Sequence, residues 1–205
     1  MMTDAITLAY INLYGILGAI PAMLELSPEA RKILGKGACS IGFAVKDGPA
    51  ATLSFAGGKC ILKEGTEDCT VKLPFSSAEK FNGLIDGTTT PVPTRGFTKL
   101  PFLLGKFVKL TDLLTKYLRP TDEDMKDPAF ARISTTLLFG VITRAVVQIG
   151  NHDRVGRASA SYIVDGVIKL CIADGPAFAI QAKKNRLAYL NMLQVQSLYS
   201  RMSAR

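Results

Sequence analysis

The stretch "FAVKDGPAATLSFAGGKCILKEGTEDCTVKLPFSSAEKFNGLIDGTTTP" (Phe43 to Pro91) decides the fold. At its start Ile41, Phe43 and Val45 alternate with Gly42 and Ala44, the period-two spacing that lines apolar side chains along one face of a strand. Asp47-Gly48 is a turn signal, and Leu53 and Phe55 then resume the alternation. Gly57-Gly58 turns the chain into a third strand over 59–63, and Gly65 closes it. A fourth strand is expected over 68–73, with Cys69, Val71 and Leu73 on one face. The pattern predicts an antiparallel meander with a single apolar face. Pro74 is expected to stop the last strand, and Ser76 or Ser77 to cap a helix with Glu79 near the third position of a capping box. Phe81, Leu84 and Ile85 form that helix's apolar stripe, and Gly87 ends it.

Upstream, Ala5 to Leu26 is apolar over about the length of a membrane span, but it holds Asn12, two tyrosines, two glycines and Pro21. It has neither a basic leader nor a small-residue cleavage site. We read a buried or groove-packed helix to about Ile20 and a second turn after Pro21, with a membrane anchor as the other reading. Ser27 and Pro28 then start a short helix that Gly35 and Gly37 end. Downstream, "TTTPVPTRGF" is an irregular loop, and "LPFLLGKFVKLTDLLTKYL" is an amphipathic helix. Leu103, Phe107, Leu110, Leu114 and Tyr117 run along one side of it, with Lys106, Lys109, Asp112 and Lys116 mostly on the other.

The polar, proline-bounded run Arg119 to Pro128 marks a boundary. It divides the chain into residues 1–120 and a C-terminal extension, 121–205, expected to pack together as one globular unit. The extension reads as a long apolar helix from Ala129 to about Ile149, a second strand meander, and a closing helix over about 187–202. The order helix, strand, Asp-Gly, strand, Gly turn, strand thus occurs twice, which raises an internal repeat; turn chemistry alone is the competing explanation.

Composition narrows the function. Hydrophobic residues make up 48% of 205, so the chain can build a core. The net charge of +8 suits an anionic surface, but it is divided evenly between the two halves and no basic block of five occurs, so a nucleic-acid arm has little support. Cys39, Cys60, Cys69 and Cys171 lack metal-type spacing and sit in apolar runs, as reduced buried thiols in a cytoplasmic protein would. His152 is the single histidine, beside Asp153 in an expected solvated loop, which removes two-histidine mechanisms. No nucleophile elbow, phosphate loop or zinc-protease motif occurs. An enzyme is not expected, and no metal or cofactor is implied.

The kinked order "KDG" hairpin, apolar strand, short Gly-ended strand, "DCTV", then the helix from "SSAEKF" to "LIDG" and the amphipathic helix after "TRGFTKL", resembles the sterol carrier protein-2 superfamily of lipid-binding domains. The resemblance covers about Ser40 to Leu118. It implies an α+β fold: a mainly antiparallel sheet, helices over one face, and an extra C-terminal helix and strand meander in this chain. It also implies non-enzymatic binding or transfer of fatty acyl chains, sterols or phospholipids.

On this reading an apolar cavity lies between sheet and helices, lined by Phe43, Phe55, Phe81, Leu84, Leu103, Phe107 and Leu114. Lys99, Lys106, Lys109 and Lys116 would meet a transient anionic membrane surface. The alternative is an interaction module with a filled core and no ligand, in which the N-terminal helix pair joins two copies into a homodimer.

Overall fold

The computed structural model describes residues 4–162, 165–171, 177–183 and 186–190. The fold is α+β: a mixed four-stranded sheet under helices, followed by a three-stranded antiparallel sheet. The first sheet contains β1 (Cys39–Val45), β2 (Ala50–Ala56), β3 (Lys59–Glu64) and β4 (Val71–Phe75), in the order β3-β2-β1-β4.

The three-strand meander is as the alternation predicts, but β4 corrects the expectation. It crosses the sheet and pairs in parallel with the far edge of β1, from Ile41↔Val71 to Val45↔Phe75. The physical reason is burial. β3 is a polar edge, with Ile61 half exposed, whereas Val71, Leu73 and Phe75 need the covered middle of the face, where they are at most 5% exposed. Gly42 permits the crossing, because a Cβ there would lie 2.6 Å from Cys69 Sγ in the connecting segment. Pro74 does not stop the strand but lies inside it. β4 has only the Lys72–Arg95 bridge on its outer side, and an edge tolerates a missing N–H.

The helical cover comes from three segments. Residues Ala5–Leu26 form one continuous helix made of α1 (Ala5–Tyr10), a π segment, a 3-10 turn and α2 (Ile20–Leu26). Pro21 falls in the first turn of α2, so it introduces no break. The short α3 (Pro28–Leu34) follows, capped by Ser27 as expected. Ser77 caps α4 (Ala78–Ile85), and a π segment, Phe102–Phe107, runs into α5 (Val108–Leu118). Leu110 and Leu114 on α5 are buried to 2% exposure or less, as the helical spacing requires. Beneath them Phe43, Phe55 and Phe81 fill the centre of the core, each burial contributing about 2–3 kcal/mol.

Asp127 caps the long α6 (Pro128–His152), and Asp153 caps α7 (Arg154–Ala160). The strands β5 (Gly166–Cys171), β6 (Ala177–Lys183) and β7 (Arg186–Leu190) complete the description. Here the closing helix is corrected over its first residues. Arg186–Leu190 is a strand: Leu187 is buried between exposed Arg186 and Ala188, and Leu187 and Tyr189 pair with Ala182 and Ile180. The rest of that expected helix, and the side chain of Cys171, lie outside the described residues.

The repeat is structural. A long helix, a short capped helix and three antiparallel strands occur twice, and all the pairs described in the second sheet repeat pairs of the first sheet, 127 residues on. Cys39↔Phe55 becomes Gly166↔Ala182, and Ala56↔Lys59 becomes Lys183↔Arg186. By that shift the run Asp-Gly-Pro-Ala at 47–50 corresponds to the identical run at 174–177. Asp174-Gly175, not Asp165-Gly166, is therefore the counterpart of Asp47-Gly48.

The long helices of the two units pack antiparallel, with Tyr10 beside His152 and Gly18 beside Arg144. Gly15 faces α6, where a Cβ would sit in ordinary contact, 3.7 Å from the carbonyl oxygen of Val141. Both helices are long and apolar enough to cross a bilayer by length and composition. Leu137 of α6 enters the main core, while Val147 joins Ala160, Ile180, Ala182 and Leu187 in a second, smaller one.

Candidate functional site

A cavity of about 420 Å³ opens between α4, the loop after it, the π segment with α5, and the N-terminal helix. Its floor is Leu73 of β4, and its walls include Ile16, Leu17, Leu84, Leu103, Phe107 and Leu114. The same amphipathic spacing that buries Leu110 in the core leaves Leu103, Phe107 and Leu114 at the cavity edge, where α5 lifts away from α4. Leu104 and Val108 form an apolar rim and remain 70% and 42% exposed. The polar part of the lining is Thr89 and Thr90 on the loop, and Thr111, Asp112 and Thr115 on α5.

Four of the seven residues expected from sequence meet here: Leu84, Leu103, Phe107 and Leu114. Phe43, Phe55 and Phe81 do not line this cavity. They form an aromatic layer beneath it, with Phe43 6.3 Å from Phe81 and 6.0 Å from Phe107, and Phe55 6.3 Å from Phe107. Phe107 therefore joins the cavity to the core. Phe43 and Phe81 are fully buried because β1 is central and the Phe81 ring of α4 packs on Phe43 and Phe75. Leu73 and Ile85, expected on the apolar faces of strand and helix but not among the seven, also line the cavity, as do Ile16, Leu17 and Leu100, which the sequence did not mark. The loop prolines Pro91 and Pro93 also line it; their signal was the "TTTPVP" run, which stiffens the backbone.

Polar anchors hold the walls in place. Asn12 on the N-terminal helix donates to Asn82 on α4 at 3.0 Å, and Asn82 donates in turn to the Ala5 carbonyl. Tyr14 donates to the Ala50 carbonyl, and burial raises its pKa to about 12. The buried Ser27 and Tyr117 hydroxyls share a hydrogen bond of 3.0 Å, which ties α3 to α5. Cys60 is likewise pushed up to about 12 by burial, so it is a thiol, not a nucleophile.

The expected basic face is divided. Lys106 Nζ donates to the Leu34 carbonyl at 2.7 Å, capping the end of α3. Lys116 pairs with Asp124 at 3.2 Å and lies over the Phe130 ring. His152 is also corrected: it is the last residue of α6, not a solvated loop residue, and it stacks on Tyr10 with ring centroids 3.5 Å apart. Its pKa is lowered by burial, then by Arg157 and Arg186. Among the described residues, no group of three or more His, Cys, Asp or Glu side chains is placed to hold a metal. No family model matches the chain, and no curated protein matches it in sequence.

Proposed function

We propose that this protein binds, and carries without catalysis, an apolar ligand of the fatty acyl, sterol-like or phospholipid kind, in the manner of the sterol carrier protein-2 superfamily it resembles. The observation that carries the reading is the cavity of about 420 Å³, walled by leucines and Phe107 and open at an apolar rim. Its size falls in the range of small-molecule sites. The rim supports loading from a lipid surface, since Leu104 and Val108 stand exposed where a chain would enter. An anionic bilayer would add attraction through Lys99 and Lys109, at about 1 kcal/mol for each basic residue near the surface.

Titration with the neutral apolar dye Nile red, and native mass spectrometry of freshly purified protein, test the reading. Saturable dye binding at micromolar protein, or a co-purified lipid, is the expected result. No saturable binding and no adduct would remove it.

A second reading is self-association through a filled protein. It is favoured by a stripe on α6 of Phe139, Ile142, Val146 and Ile149, spaced three and four apart and 37–53% exposed. A dimer lost on Ile142→Lys, in a protein that takes no dye, would establish this second reading instead.

A further inference from the structure

The polar part of the cavity mouth offers more hydrogen-bond acceptors than donors. The Thr111 hydroxyl already donates to the Val108 carbonyl at 2.7 Å, and the Thr115 hydroxyl to the Thr111 carbonyl at 2.9 Å. Each has only lone pairs left for a ligand. Asp112 stands between them on α5 and, when ionised, can only accept. The opposite wall is the loop after α4. There the Gly87 amide donates to Leu84, and those of Thr88 and Thr89 to Gly83. Pro91 and Pro93 have no N–H to offer. The hydroxyls of Thr89 and Thr90 serve either way and set no preference, and the Thr90 amide is the backbone donor this wall leaves over. Among the described residues, no Lys, Arg or His lines the cavity; Lys109, one turn before Asp112, lies outside its lining.

We propose that the cavity selects amphiphiles whose polar end donates hydrogen bonds, an ammonium first and a hydroxyl second, over those ending in a carboxylate. The inference rests on the carrier reading above. A carboxylate seated at this mouth would face the Asp112 charge and spent hydroxyls, with few donors to replace its water. An ammonium would find acceptors on α5 and an opposite charge.

Three probes of equal chain length separate the heads: dodecylamine, dodecanol and dodecanoic acid, each displacing Nile red at neutral pH and low salt. Because Asp112 is exposed, the preference is modest. The amine is expected to bind about five-fold or more tighter than the acid, with the alcohol between them and the spread narrowing in high salt. Asp112→Asn should bring the three together, and Asp112→Lys should place the acid first. Displacement is referenced to each protein's own dye affinity, and thermal midpoints near the native value show that both variants are folded. An acid that binds the native protein as tightly as the amine, or an order that Asp112→Lys leaves unchanged, overturns this inference while leaving the carrier reading standing. If none of the three displaces the dye, both fall.

Discussion

Asn12 and Asn82 lie seventy residues apart in sequence and share a buried side-chain hydrogen bond of 3.0 Å. That bond joins the N-terminal helix to α4, the two elements flanking the inner end of the cavity. Both amides are under 8% exposed, so removing Asn12 leaves Asn82 Oδ1 without this donor out of water, although Asn82 Nδ2 keeps the Ala5 carbonyl. Asn12→Leu is expected to cost about 1–3 kcal/mol of folding stability. Asn12→Leu with Asn82→Leu should cost less than the sum of the two single changes. Urea midpoints of the four proteins check this.

The Tyr10–His152 stack makes the seam between the two units sensitive to acid. The folded pKa of His152 is lowered, so the unfolded chain takes up its proton first. The neutral ring's contribution is complete above the ordinary histidine value of about 6.5, and is lost as pH falls from there through the lowered one. Stability measured by urea should drop between about pH 7 and pH 5 by more in the native protein than in His152→Gln. Equal slopes would show that the stack is indifferent to protonation.

Filling the cavity should separate ligand binding from folding. Leu84 is half-buried on α4 and lines the void. Leu84→Trp is expected to abolish dye binding while moving the thermal midpoint by only a few degrees, a change of about 1 kcal/mol at most. Retained binding would place the ligand elsewhere.

Lys106 and Lys109 look alike in sequence but occupy different places. Lys106 closes the end of α3 through the Leu34 carbonyl, whereas Lys109 is exposed. Lys106→Met should cost about 1 kcal/mol of stability. Lys109→Glu should leave stability unchanged but weaken binding to vesicles containing anionic lipid, an effect that salt removes. Urea midpoints check the stability of both variants, and sedimentation with vesicles at low and high salt checks the binding.

Ile41, Phe43, Val45, Leu53 and Phe55 disclosed the meander because alternation follows from strand geometry alone. Ser27, Ser77 and the stripe from Leu103 to Tyr117 likewise disclosed their helices, since caps and periodicity are local. The recurring order of helix, strands, Asp-Gly and Gly turns also raised the repeat, although its 127-residue register came from strand pairing. Other features depended on partners distant in the chain. Which edge received β4, and that it runs parallel to β1, was decided by the need to cover Val71 and Leu73 and by room for Cys69 over Gly42. Phe43 and Leu103 look equivalent by pattern, yet one lies under α4 and the other at a gap between α4 and α5. A strand's period names the face a side chain points to, but only the packed helices determine whether that face is filled or hollow.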